Sequence, residues 1–174
     1  MKLSEVKVGQ AFTVADIEFV KMVENNEGTV VVAKESVFSS IYGKNNNFAE
    51  SIILERLNKE ILPKIEDVVG AENILEFKTD LTSLDGLKTY GEMTSKISIP
   101  TLDFYRDNVE LFDKYKLKEW WWLSTPDTTP EHYNDRWCRC VSPVGHVNFV
   151  NYYGNFGVRP VLVFVSDIFV SSEE

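Results

Sequence analysis

The chain has 174 residues, 44% of them hydrophobic and 13% aromatic, enough apolar side chain to bury one real core and too much for a disordered chain. Its formal net charge of −9 argues against direct binding to a nucleic-acid backbone, because affinity for phosphates comes from Lys and Arg releasing counterions. A charge of this sign suits a basic partner protein, including one that itself binds nucleic acid, and it also serves simply to keep a protein in solution.

No apolar run approaches the roughly eighteen residues that span a bilayer, and the opening MKLSEVKVGQ lacks the apolar segment of a signal peptide. The expected location is therefore cytoplasmic. The two cysteines, Cys138 and Cys140, are two apart, which on an extended strand puts their α-carbons near the upper limit for a disulfide. They read as thiols of a reducing compartment.

In chain order, residues 17–23 (IEFVKMV) and 29–34 (TVVVAK) are β-rich runs separated by Asn25, Asn26, Glu27 and Gly28, which predicts a hairpin whose turn uses the freedom of glycine at positive φ. One face of it is not cleanly polar, so both faces are expected to be covered. Residues 37–41 (VFSSI) supply a short strand or a turn. The period then changes: Ile53, Leu57 and Ile61 recur every four residues with Leu54 and Leu62 beside them, predicting an amphipathic helix capped by Asn46 or Asn47. Pro63 interrupts it, and a second short helix ends at Gly70.

Residues 78–100 are rich in Thr, Ser, Asp and Gly without a sustained period, and are expected to form a long ordered connection. Thr101 caps a helix through LDFYRDNVELF, with Asp103 near its positive end. The segments EWWWLSTP, WCRCVS, HVNFVNYY and GVRPVLVFV then read as strands, punctuated by Pro126, Pro130, Pro143 and Gly145. The expected fold class is α+β: a single domain over 1–174, with a hairpin-plus-helices subregion at 1–110 and a mostly antiparallel β-rich subregion at 111–170.

Several strings are distinctive together: DLTSLDGLKTYG at 80–91, ISIPTLDFYR at 97–106, WWWLSTP at 120–126, CVSPVGHVN, and the terminal YGNFGVRPVL. In this order they resemble a family of uncharacterised domains common in Gram-positive bacteria and their phages, over nearly the whole chain. The ending is similar to C-type-lectin-like folds, so the resemblance implies a compact sheet with helices packed beside it. The calcium signatures of sugar-binding lectins do not carry over, since the nearest string here, Asn134-Asp135-Arg136-Trp137, is a different arrangement. The paired cysteines of formylglycine-generating enzymes have no matching surroundings at Arg139 and Val141.

Every Cys and His lies between His132 and His146, spaced His-x5-Cys-x-Cys-x5-His. Alternate strand residues share a face, so Cys138 and Cys140 could hold one zinc ion, with His132 and His146 completing four ligands in a closed, structural Zn2+ site. The same cysteines also serve as small core hydrophobes. No nucleophile elbow, phosphate-binding glycine loop or His-Glu-x-x-His motif is present, and Asp80, Asp85 and Asp103 read as caps and turns, so an enzyme is not expected.

A partner-binding surface is expected instead from Trp121, Phe149, Tyr152, Tyr153, Asn148 and Asn151, whose aromatic and amide mixture is what protein-binding surfaces favour. On a strand, Trp121 faces away from Trp120 and Trp122, so at least one indole lies on a face open to solvent. Arg159, between Val158 and Pro160, reads as a carbonyl-capping or ion-pairing residue.

The functional expectation is a non-enzymatic phage- or prophage-type binding protein that engages a partner protein, such as a host nucleic-acid-targeting defence complex inhibited in the manner of an anti-CRISPR. Such a protein would work in the host cytoplasm, with no direct contact to nucleic acid or membrane. The alternatives are a C-type-lectin-like ligand- or receptor-binding module, and a metal-dependent enzyme, which would require an open coordination position.

Overall fold

The computed structural model describes residues 1–172. Its first three strands form an antiparallel meander of β1 (Ala11–Val14), β2 (Ile17–Glu24) and β3 (Thr29–Ala33). Ala15 and Asp16, both at positive φ, make the two-residue link from β1 to β2, the geometry whose twist suits a tight hairpin. Between β2 and β3 the Asn25 carboxamide accepts from the N–H of Glu27 and of Gly28, closing the expected hairpin. Gly28 serves that turn through close approach: a Cβ there would sit 2.7 Å from the carbonyl oxygen of Phe164.

Residues 37–41 do supply a strand, β4 (Phe38–Ser40). The helical region differs from two helices broken at a proline. α1 (Ile52–Arg56) runs through a π turn at Leu57–Ile61 into α2 (Leu62–Val69), which ends at Gly70. Pro63 would press its ring against a carbonyl one turn back; widening that turn, with the Leu62 N–H reaching Leu57, lets the helix continue. Ser51 caps α1 by accepting from Leu54 N–H, while Asn47 caps a preceding one-turn 3-10 helix.

After β5 (Ile74–Leu75), the stretch expected to be a connection folds instead as a hairpin of β6 (Phe77–Asp80) and β7 (Glu92–Ser95). Its strands, FKTD and EMTS, carry little apolar signal. Thr101 caps α3 (Leu102–Asp107) as expected, and Asn108 separates it from α4 (Val109–Lys114). Five strands follow: β8 (Trp121–Pro126), β9 (Trp137–Val141), β10 (Val147–Asn151), β11 (Phe156–Val158) and β12 (Val161–Phe164).

Two five-stranded sheets result, ordered β1-β2-β3-β12-β5 and β10-β9-β8-β11-β4, mostly antiparallel with a parallel contact between β8 and β11. β11 and β12 follow each other yet enter different sheets, so both sheets draw on both halves of the sequence.

Alternation along the strands feeds two cores. Phe19, Val31 and Leu162 of the first sheet join Trp122, Cys138 and Val158 of the second against Ile53, Leu57 and Ile65 of the long helix. Their strand neighbours Val20, Val32 and Val161 join Trp121, Leu123 and Val141 against Leu102, Tyr105 and Phe112 of α3 and α4. Helices therefore cover both faces, which is why β2 and β8 lack a polar side. Among the described residues no helix is long and apolar enough to cross a membrane.

Candidate functional site

β9 and β10 form an antiparallel hairpin in which Trp137 is opposite Asn151, Arg139 opposite Phe149 and Cys138 opposite Val150. Cys138 and Cys140 face inward and are buried, so Trp137, Arg139 and Phe149 share the outer face. There Trp137 meets Phe149 edge to face at 5.6 Å, and the Arg139 guanidinium lies 5.5 Å from the Phe149 ring centre. Arg139 is itself held by an ion pair with Asp127. Phe149 remains 54% exposed on this scaffold, an aromatic anchor fixed by a strand, an indole and a cation.

Beyond β10, Tyr152 and Tyr153 meet edge to face at 5.7 Å. Tyr152 is half-buried, its carbonyl taken by the Tyr42 N–H, whereas Tyr153 is 68% exposed. Asn148 and Asn151 are half-buried, with the Asn151 carbonyl accepting from Gly154 N–H. Five of the six expected contact residues thus lie on or directly after one edge strand.

Trp121 is the exception and a correction. It is buried, stacked on Phe112 at 5.5 Å with the Arg159 guanidinium 4.9 Å from its ring centre. The exposed indole of the run is Trp120, at 37%, which stacks on Phe156. Alternation separates the faces of a strand but does not say which face a helix will cover, and here α3 and α4 cover that of Trp121.

Arg159 caps carbonyls, donating through Nε to Ala33 and through a terminal nitrogen to Lys34. Burial lowers it to about 10, against the favourable charges of Glu35 and Tyr105.

The four residues of the expected zinc set occupy different surroundings. Cys138 and Cys140 lie in the core beside Trp122 and Val158. Burial pushes Cys140 up to about 12 and Cys138 well above the ordinary thiol range, so both are neutral thiols in this setting, and Cys140 Sγ approaches the Asn148 carbonyl at 3.6 Å. His146 stands just before β10 with its backbone N–H on Ser142 Oγ. His132 is on the surface, its Nδ1 2.6 Å from Asp85 Oδ2. Among the described residues no three His, Cys, Asp or Glu side chains form a group able to hold a metal ion.

The partnership of His132 with Asp85 is what sequence reading missed, since 47 positions separate them and Asp85 reads as a turn residue. Asp85 also accepts from Thr128 Oγ1 at 2.6 Å and from the Ser83 hydroxyl. Burial alone would raise this carboxyl; hydrogen bonds from His132, Ser83 and Thr128 outweigh it and hold it at about 2. Ser83 gives its proton to the carboxylate rather than to the imidazole, so the trio is not wired as nucleophile, base and orienting acid. Its effect is to fasten the 127–136 loop to the 81–87 turn. Asn46 completes the fastening: its buried carboxamide donates to the carbonyls of Thr128 at 2.8 Å and Trp137 at 3.0 Å, and accepts from Tyr90 Oη at 2.6 Å.

No family model, curated protein or solved structure matches this chain.

Proposed function

We propose that the chain is a non-enzymatic binding protein that meets a basic partner protein through the outer face of the β9–β10 hairpin and the tyrosine turn after it. The observation that carries this reading is the exposure of Phe149 and Tyr153 on and beside a paired hairpin, each packed edge to face on a second ring, whereas the more exposed Tyr133 and Phe169 lie outside the named strands. Aromatic anchors held in place before binding lose little freedom on contact and dominate interface energies. The net charge of −9 adds long-range attraction toward a basic surface.

A setting that fits is a phage- or prophage-encoded inhibitor in the host cytoplasm that occupies the basic channel of a nucleic-acid-targeting defence complex. That setting is supported by the charge and by the sequence resemblance to phage-associated domains.

The test is affinity capture from host lysate with the native chain and with the double variant Phe149→Ala/Tyr153→Ala, each at low and high salt. Recovery of a nucleic-acid-handling protein is expected, weakened tenfold or more by the double variant, a loss of about 1.4 kcal/mol or greater, and weakened again as salt screens the charges. Identical recovery by both proteins, or binding indifferent to salt, would sink the reading.

A further inference from the structure

The two large sheets have four outer strands, and three are closed or short. On β1, Thr13 exchanges backbone hydrogen bonds in both directions with Ser171. Along β4, three residues long, Arg56 donates to the Ser39 carbonyl and lies over the Phe38 ring. β5 is two residues long. β10 differs: it has five residues, none of them fully buried, with no charge, no proline and no register shift against β9. Charges, prolines and bulges are the usual devices that keep a sheet edge from pairing with another chain.

Which backbone groups face outward follows from the ladder. The Ser142 N–H donates to the His146 carbonyl at 2.8 Å, and the Tyr152 N–H to that of Arg136 at 3.0 Å. These are hydrogen-bonded pairs, and in an antiparallel ladder such pairs alternate with open ones. Asn148 and Val150 therefore turn their N–H and C=O toward β9, while Val147, Phe149 and Asn151 turn theirs to the open edge. Gly154 takes the Asn151 carbonyl. What remains is a row formed by both groups of Val147, both of Phe149 and the N–H of Asn151.

We infer that this edge receives β10 of a second copy of the chain, antiparallel, about a two-fold axis at Phe149. Self-pairing about a single residue requires that residue to present both its N–H and its C=O outward, as Phe149 does, and it places Val147 opposite Asn151 on each side. It also sets the half-exposed Phe149 ring beside its own counterpart, a favourable cross-strand aromatic pair. A neutral strand offers a charged segment nothing to grip, whereas two neutral strands meet without local repulsion.

The joined sheet leaves the outer faces of both hairpins open, so the pairing does not depend on the partner-binding reading. Strand pairing of this length lies at the weak end of interfaces, and each copy carries a charge of −9 that opposes it.

Sedimentation velocity on the full chain, from about 5 to about 500 µM, reads the association directly. The weight-average mass is expected to climb from 20.0 kDa toward twice that value, and to do so at several-fold lower concentration in high salt, where like charges are screened. A basic partner would respond to salt in the opposite direction, so the two readings fail separately. Val147→Pro sets a ring on the open edge, in the way of an incoming strand, without touching the β9 ladder, and Phe149→Lys puts a charge at the axis; both are expected to hold the mass at 20.0 kDa.

Amide exchange on the unmodified chain supplies a test that no unfolded variant can confuse: the Phe149 and Asn151 amides, which would meet the free carbonyls of Phe149 and Val147 across the axis, should slow at least tenfold from dilute to concentrated solution, those of Asn148 and Val150 not at all. A mass that stays at 20.0 kDa throughout, dimers that persist in both folded variants, or exchange at Phe149 and Asn151 that ignores concentration each overturns the proposal.

Discussion

Asp85 shows how one surface carboxylate organises a loop. It accepts from Ser83, Thr128 and His132, and these three donors hold its carboxyl at about 2, below its ordinary value of 3.8, against the raising effect of burial. A group whose folded pKa is depressed stabilises the fold above its unfolded pKa, and that contribution disappears as pH falls through the folded value. The window is therefore from about 4 down to about 2. The variant Asp85→Asn should be less stable than the native chain at pH 7, because its amide NH2 faces donors, and the two stability curves should converge as pH falls through that window. Urea unfolding at a series of pH values checks it; a difference that stays constant from pH 5 to pH 2 would show that the three hydrogen bonds are not made to a charged carboxylate.

Among the elements, the β2–β3 turn ties a glycine to a distant strand. Gly28 has no room for a side chain because the Phe164 carbonyl lies 2.7 Å from where a Cβ would be, with Leu75 and Val163 close behind. A carbonyl inside a ladder cannot swing aside as a side-chain tip can, so Gly28→Ala should cost about 1–3 kcal/mol and displace the end of β12. Gly157 is the useful contrast, since its nearest obstacle is the hydroxyl of Ser36, and truncation by Ser36→Gly should recover much of the loss in Gly157→Ala while doing nothing for Gly28→Ala. A denaturation midpoint unchanged by Gly28→Ala would refute the close-approach account.

The β2–β3 hairpin, the Thr101-capped helix and the strands β8, β9 and β10 were legible in the sequence because apolar alternation and turn or cap residues agree there, whereas the run GVRPVLVFV, expected as one strand, is divided at Arg159 and Pro160 between β11 and β12 of different sheets. The β1–β2 link was not, since Ala15 and Asp16 adopt positive φ without a glycine to announce it. Nor was the β6–β7 hairpin, whose short strands bury almost nothing. Of the candidate surface, the β10 aromatics were readable by composition. Trp121 against Trp120 and Asp85 against His132 were not, because helix coverage and long-range partnership leave no local pattern.

At the scale of the molecule, the route of β11 and β12 decides how the fold holds together. β12 lies between β3 and β5, and β11 between β8 and β4, so neither sheet can be completed by residues 1–110 or by the remainder alone. Removing β12 leaves Val30, Val31 and Val32 paired on one side only, to β2, and takes Leu162 and Phe164 from one core and Val161 from the other. The boundary at residue 110 suggested by the order of predicted elements therefore separates styles of secondary structure within one folding unit.

All four tryptophans sit in or beside β8 and β9, which makes their fluorescence a report on the second sheet, whereas far-UV dichroism reports on the whole backbone. A chain built this way should lose both signals in one coincident transition. Fragments 1–110 and 111–174 prepared separately should lack dispersed amide spectra and cooperative melting, and should regain them on mixing. Two separable transitions in the full chain, or a cooperative melt in either fragment alone, would mean that the interleaved strands couple the sheets far less tightly than their shared cores require.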